Sequence, residues 1–351
     1  SVPGIVSGIV DAQLPNGHSF RGLHIKTGGS FGILGKQRTP YLWKQRDQIG
    51  LIHFLDHAGL VNTSGETLSL AEDIRAAVKQ GVKTLTVMLY DKDPTCMLDS
   101  FLAHRFIREV AEGIGIIAHA MGAAKIIVET GTEKKERALF DTIGTVISDR
   151  DLAHLTIPQT YPAGTAHTRS AEKDAVVIDA STALSVYESV QHNQPMLTTY
   201  LLITGKTLEH STVIKVRIGT PIGHLIEECG GFKSKNTHII INGLLRGTLV
   251  DSLDLPAGKG IKSIHAVGKD IDIQQQLEEC GHCGQCLRSC PAYIDPINTV
   301  RHIQRDRYTA ETLRSIALCS GCACCSAVCP VRIPLSAIIK SAAARGDSYA
   351  V

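Results

Sequence analysis

The 351-residue chain is poor in aromatic residues, with one Trp, eight Tyr and seven Phe. It also lacks an excess of either charge, since 36 Lys and Arg stand against 34 Asp and Glu. That balance gives no electrostatic reason to expect a nucleic-acid partner. Long apolar runs are missing. The longest, such as Gly113 to Ala120, stop well short of the roughly 20 residues that cross a bilayer. The chain is therefore expected to have no membrane span of its own, and no signal peptide is visible. Gly-x-Ser-x-Gly elbows, Walker loops and His-Glu-x-x-His helices are absent as well, so nothing marks chemistry on an organic substrate. Low-complexity disorder is excluded, because 43% apolar residues suffice to bury cores.

What the chain does have is cysteine, and almost all of it in one place. Nine of its 11 cysteines lie between Cys280 and Cys329, with only Cys96 and Cys229 elsewhere. A disulfide scaffold would spread them through a small secreted chain. The first group reads Cys280-Gly-His-Cys283-Gly-Gln-Cys286-Leu-Arg-Ser-Cys290-Pro291, and the second Cys319-Ser-Gly-Cys322-Ala-Cys324-Cys325-Ser-Ala-Val-Cys329-Pro330. Each fits C-x2-C-x2-C-x3-C-P, the bacterial run that binds [4Fe–4S] clusters. Three cysteines two residues apart wrap one face of a cubane, while the fourth points away and usually ligates the other cluster. The expected sets are Cys280, Cys283, Cys286 and Cys329 for cluster I, and Cys319, Cys322, Cys325 and Cys290 for cluster II. Zinc is the competing metal, but it normally takes two separated C-x2-C pairs. Cys324 has the wrong spacing for a ligand and reads as a packed thiol; Cys96 and Cys229 read as ordinary buried cysteines.

Asp295-Pro296 between the two groups is a helix-start signal, an N-cap followed by Pro. Ile297, Val300 and Ile303 follow at helical spacing, a second helix fits Ala310 to Leu318, and Leu335, Ile338 and Ile339 mark a third. The cysteines thus belong to a helical dicluster domain rather than a compact β-rich ferredoxin. Arg301, Arg305, Arg307 and Arg314 read mainly as solvated helix faces, with an acidic redox partner as the alternative.

Upstream, Gly4 to Val10 and Gly22 to Lys26 read as strands around a turn at Pro15-Asn16-Gly17. Residues 45–160 alternate helix and strand: Leu70 to Lys79, strand Lys83 to Leu89, one long helix Asp99 to Met121 ended by Gly122, strand Ala124 to Glu129, then Gly131 to Ile147. That alternation implies a mostly parallel sheet. Gly28-Gly29-Ser30-Phe31-Gly32-Ile33-Leu34-Gly35 has the composition of a phosphate cradle but does not join a strand to a helix, and reads as a linker. Residues 170–230 read as a compact α+β unit, plausible as a β-grasp, with a strand at Ala175 to Ile178, a helix from Ser181 to Val190, paired strands at Thr198 to Thr204 and Val213 to Arg217, and a helix ending at Cys229.

Taken in order, these segments resemble the C subunit of the Rnf-type ion-translocating electron-transport complex. Val2 to Val10 is similar to half of that family's barrel-sandwich domain, Tyr161-Pro162-Ala163-Gly164 to its Tyr-Pro-x-Gly, and Leu202 to Gly205 with Ile218 to Gly223 to its ligand-binding β-grasp (SLBB) module. Both cysteine groups match, including Cys322-Ala-Cys324-Cys325 and Arg332 to Leu335. The resemblance implies a multidomain α/β and α+β chain: a partial barrel-sandwich over 1–30, a Rossmann-like α/β domain over 31–168 resembling the flavin/NADH-binding domain, the SLBB-like β-grasp over 169–255, and the helical dicluster [4Fe–4S] domain over 256–351.

The departures are at the flavin loop. The family's Gly-Leu-Gly-Gly-Ala-Gly-Phe-Pro-Thr falls on Asn62 to Leu70, where only Gly65 remains. Missing glycines deny the close backbone approach a phosphate needs, and Glu66 would repel it. The family's Glu-Cys-Glu-Pro appears as Asp91-Lys92-Asp93-Pro94, with Asp91 and Asp93 read as a relic or loop cap. The expectation is an iron–sulfur electron-transfer subunit holding two [4Fe–4S] clusters, with no flavin mononucleotide (FMN) and no direct NADH oxidation. Its partners would be other subunits of a membrane complex and ferredoxin, directly or through a sister subunit, on the cytoplasmic side of the membrane. The alternatives are an FMN-containing NADH dehydrogenase subunit and a soluble reductase similar to cobalamin reductase.

Overall fold

The computed structural model describes residues 4–13, 19–28, 39–65, 68–158, 160–162, 175–234, 236–268 and 279–345. The Pro15–Gly17 turn, most of the Gly28–Gly35 stretch, Glu66, and Ala163-Gly164 lie outside the described residues. The chain forms two compact units, one of residues 1–159 and 171–268, the other of 160–170 and 269–351.

The first unit begins with an antiparallel hairpin, β1 (Gly4–Gln13) and β2 (Ser19–Thr27), bulged between Val6 and Gly8. There follow α1 (Gln48–His57), β3 (Val61–Asn62), β4 (Leu68–Ser69), α2 (Leu70–Gln80), β5 (Thr84–Met88), α3 (Leu98–Arg105), α4 (Ile107–Met121), β6 (Lys125–Thr130), α5 (Lys134–Val146), β7 (Asp151–Thr156), β8 (Ala175–Asp179) and α6 (Ala180–His192). Strands β5 to β8 form one all-parallel sheet in the order β7-β6-β5-β8. The apolar runs of β5 and β8 are buried on both faces, as expected for parallel strands covered by helices. Local chemistry sets the helix limits. Asp47, Ser69 and Asp179 cap α1, α2 and α6 by accepting from the first-turn amides, and Gly81 and Gly122 end α2 and α4 in the left-handed region. Leu51, Leu55, Ile74, Leu85, Ile114 and Ile126 are fully buried in the shared core. Each contributes about 1.5–3 kcal/mol by leaving water.

The expected single helix from Asp99 to Met121 is two helices. Phe106 leaves helical geometry (φ −129°, ψ 38°) between α3 and α4, and its ring packs on Tyr200 with centroids 5.5 Å apart. A ring contact outside the helix overrides a periodicity that runs straight through.

The unit continues with β9 (Thr198–Thr204), β10 (Thr212–Arg217), α7 (Ile222–Glu228), β11 (Thr237–Ile241), β12 (Thr248–Val250) and β13 (Ser263–Gly268). These strands make a second sheet, ordered β10-β9-β13-β11-β12, in which β13 runs parallel to β9 and every other pair is antiparallel. Leu201, Ile203, Ile264 and Ile222 fill the core between this sheet and α7. The sheet therefore extends to Gly268, past the Leu255 limit read from sequence.

The second unit is helical, with α8 (Gln285–Arg288), α9 (Pro296–Gln304), α10 (Ala310–Leu318), α11 (Cys324–Ala327) and α12 (Leu335–Arg345). Asp295 caps α9 by accepting from Asn298 N at 3.1 Å with Pro296 at the first position, and Thr309 caps α10. Val300, Leu335 and Ile339 form its small core together with Cys286 and Cys325.

Candidate functional site

The two cysteine groups fold alike. His282 and Gly321, Gly284 and Ala323, and Tyr293 and Arg332 stand at matching positions, and all six have left-handed φ between 50° and 70°. Gly284 and Ala323 open the short helices α8 and α11, which carry Cys286 and Cys325. Alternating left-handed and ordinary residues turn successive N–H groups into one concavity, an arrangement that receives anions, sulfide included. Gly321 has a second reason to be glycine, because a Cβ there would lie 2.4 Å from the Lys340 side chain.

Two cavities result. One is lined by Cys280, Cys283, Cys286 and Cys329, with His282, Leu287, Ile297 and Leu335. The other is lined by Cys319, Cys322, Cys325 and Cys290, with Pro291, Ile294 and Ile339. Cys290 and Cys329 each sit with the three-cysteine turn of the opposite group. Cys324 lines neither cavity and matches Gln285 in the repeat. Among the described residues no three His, Cys, Asp or Glu converge as a single ion would require. The thiols instead line cavity walls, and eight soft donors over apolar floors fit iron–sulfur chemistry. In the metal-free chain burial pushes the Cys325 thiol up to about 12. Burial and the neighbouring Cys322 push Cys324 up to about 11. Loading such thiols with a cation releases their protons. The Tyr161 hydroxyl donates to the Cys322 carbonyl, which fastens residues 160–162 to the second cysteine turn. Nothing in the sequence pattern marks that contact.

The carboxyl edge of the parallel sheet is where open α/β folds receive ligands. Here it is filled by the chain's own carboxylates. Asp91 accepts from the amides of Leu98, Asp99 and Ser100 and from Ser100 Oγ, which satisfies the start of α3. Asp93, only 4% exposed, accepts from Thr95 and from the Leu245 and Arg246 amides. Asp99 accepts from Ser181 N and Oγ at the start of α6. Asp179 accepts from Thr182 N and Thr63 Oγ1. The loop at Gly65 is tied down as well: Asn62 Nδ2 donates to Asp73 and to the Val177 carbonyl, and Ser64 Oγ donates to Val177 too.

Lys262, just before β13, reaches into this edge and donates to Asp99 Oδ2 and Asp179 Oδ2 at 2.5 and 2.6 Å. Burial pushes Asp99 up to about 6, reinforced by Asp179 and opposed by Lys262. Burial also works against charge on Asp179, but Lys262 and the Thr182 hydrogen bonds outweigh it and hold its carboxyl below the ordinary value. For Lys262, burial is likewise overcome by the two carboxylates, which hold the ammonium above its usual range. Cys96, 7% exposed, is pushed up to about 12 by burial, and Cys229 is buried too. Sequence reasoning missed Lys262 altogether, because no local motif ties it to Asp99 or Asp179.

A parallel α/β sheet followed by a C-terminal helical unit with these two cysteine groups defines an iron–sulfur protein, and residues 276–333 match the 4Fe-4S dicluster domain. The chain is similar to the C subunit of the ion-translocating oxidoreductase complex of Rhodobacter capsulatus, 25% identical over 256 residues, which cover 68% of this chain and 49% of that one. It is similar also to the C subunit of the Na+-translocating ferredoxin:NAD+ oxidoreductase complex of Acetobacterium woodii, 26% identical over 270 residues, 72% of this chain and 60% of that one. These relatives bear out the resemblance read from the motifs. The chain spans about half the length of the curated relatives it matches. Among solved structures, an NAD+-reducing [NiFe]-hydrogenase in the H2-reduced state superposes with TM-score 0.58 at 12% identity, covering 84% of this chain and 64% of that one. That likeness is one of fold. Among the described residues no helix is long and apolar enough to cross a membrane.

Proposed function

We propose that this chain is the iron–sulfur electron-transfer subunit of an Rnf-like membrane-associated oxidoreductase complex. It relays electrons between ferredoxin and another subunit without oxidising NADH itself. The observation that carries this reading is the pairing of eight cysteines around two cavities in crossed sets. Cys280, Cys283, Cys286 and Cys329 would hold cluster I, and Cys319, Cys322, Cys325 and Cys290 cluster II. When bound, [4Fe–4S] clusters supply one-electron chemistry that needs no proton from the protein. The chain's own residues do the rest. Left-handed positions aim amides at the cavities, the prolines after Cys290 and Cys329 turn the backbone away, and Ile294, Ile297 and Ile339 keep the walls dry. Cys324 is a bystander.

The absence of flavin rests on the self-filled crevice. Asp91, Asp93, Asp99 and Asp179 already occupy the helix starts and loop amides that would take a phosphate. A phosphate there would meet carboxylates, which repel it. We read the second sheet as an SLBB-like β-grasp, supported by the parallel pairing of its first and last strands. The chain then has four parts: the β1–β2 hairpin, the α/β domain, the SLBB-like sheet through Gly268, and the dicluster domain. Attachment to the cytoplasmic face of the membrane would be peripheral, through partner subunits.

Cofactor analysis of the anaerobically purified chain tests this. About eight iron and eight acid-labile sulfide per chain, with no flavin, is the expected result for two four-iron clusters. One equivalent of tightly bound flavin with NADH-dependent dye reduction would favour the NADH dehydrogenase reading. Failure to co-purify with any membrane subunit would favour a soluble reductase.

A further inference from the structure

The second cysteine group repeats the first at a constant offset, from Cys280 and Cys319 through Cys290 and Cys329. The repeat runs on past the prolines. Pro296 and Leu335, at equal distances after them, open α9 and α12, and Arg301 and Lys340 are the sixth residues of these helices. Both cations turn back to the same spot. Arg301 is half-buried and donates from Nη2 to His282 Nε2 at 3.0 Å. His282 lines the first cavity, one residue before Cys283. A guanidinium can only donate, so the ring nitrogen accepts and the charge of the pair lies on Arg301. Lys340 lays its stem over Gly321, the equivalent of His282, where a Cβ would run into its Cγ, Cδ and Cε. Gly321 stands between Ser320 and Cys322, which line the second cavity. Each group thus receives one cation at the residue before its second cysteine.

The other charges near the first group are not repeated. Arg288 Nη2 donates to the Cys283 carbonyl at 3.3 Å, Asp295 lines the cavity while capping α9, and Glu278-Glu279 precede Cys280 in sequence. Their equivalents in the second group are Ala327, Pro334 and Ala317-Leu318, all uncharged. Between Cys280 and Gln304, Arg301 is the one Lys, Arg, Asp or Glu whose equivalent is charged too.

We propose that Arg301 and Lys340 set the redox potentials, each raising that of the cluster held by the turn it contacts. The inference rests on the iron–sulfur reading given above. Reduction adds one electron, and so one negative charge, to a cluster with its four thiolates; no bond forms or breaks and no proton moves. A cation beside the turn attracts that added charge and favours the reduced form. Arg301 acts more strongly, because its head is half-buried and held by a hydrogen bond. Lys340 is exposed, where salt screens it.

The test is a redox titration of the cluster-loaded full chain with dithionite and mediator dyes, followed by paramagnetic resonance. Arg301→Gln can still donate to His282 but carries no charge. It should lower one of the two potentials by a roughly three- to tenfold change in the reduction equilibrium, or about 30–60 mV. Lys340→Gln should lower the other potential by less, and that shift should shrink as salt is added. Arg301→Lys and Lys340→Arg keep the charge and should stay close to the parent. Lys340→Gln, at an exposed position, keeps the test decisive if the Arg301 variants do not load. Iron counts separate the two ideas. An iron-free parent chain overturns the iron–sulfur reading and this inference with it. In iron-loaded variants, unmoved or raised potentials, one potential moved by both neutral substitutions, or equal shifts in neutral and charge-keeping variants overturn the tuning role alone.

Discussion

At the scale of single residues, the crossed sets make sharp demands. Cys290→Ala is expected to damage the cluster held by the second group, because Cys290 shares its cavity with Cys319, Cys322 and Cys325. Paramagnetic resonance of the reduced chain should show the loss there, and loss confined to the first group's cluster would reverse the assignment. Cys324→Ser should leave both signals, since Cys324 lines neither cavity. The two cysteine groups were legible in sequence because a cubane imposes its spacing on a few neighbouring residues. Access was not legible: identical spacing gives an exposed Cys283 and a buried Cys322, since burial depends on what packs over each turn.

At the scale of elements, helix limits were readable where a residue next in sequence ends the helix, by its side chain at Asp295 and by its left-handed backbone at Gly122. They failed at Phe106, whose ring packs on Tyr200 of β9. The α4–α6 contact gives a paired prediction. A Cβ on Gly113 would lie 1.9 Å from the Ala183 carbonyl oxygen, while one on Gly115 meets nothing closer than 3.8 Å. Gly113→Ala should therefore destabilise the chain by about 1–3 kcal/mol or more through overpacking. Gly115→Ala should be neutral or stabilising by up to about 1 kcal/mol, from helix propensity. Urea midpoints compare the two, and equal shifts would mean that the helices do not approach this closely. In sequence both glycines merely look tolerated within a helix.

At the scale of the molecule, Lys262 fastens the start of β13 to Asp99 and Asp179 at the edge of the parallel sheet. Its side chain is 17% exposed and theirs 5% and 1%. Lys262→Met leaves two like charges buried without their counter-ion, a loss of about 3–5 kcal/mol. The effect has a signed pH dependence. In the parent Asp179 is held below its ordinary value, so its contribution is present above the unfolded carboxylate pKa and fades as pH falls through the folded one. Without the ammonium both carboxylates are raised in the fold. Groups raised in this way favour the fold while protonated, and that benefit is lost as pH climbs through their folded values. The variant's deficit should be largest near neutrality and shrink on acidification, as read from denaturation midpoints at several pH values. A deficit that grew toward acid would show that the ammonium does not hold the pair ionised.

The sequence by itself determined the two cysteine groups, the dicluster character of the C-terminal unit and the α/β alternation before it. Each rests on interactions among residues close in the chain: metal spacing, caps and hydrophobic period. Tertiary structure alone decided how the crevice is filled. Asp99, Asp179 and Lys262 are far apart in sequence, and their burial together follows from the meeting of two sheets. It alone decided, too, that Cys283 is exposed while Cys322, at the matching position, is buried. Solvent access belongs to the packed surface, and no spacing within either motif encodes it.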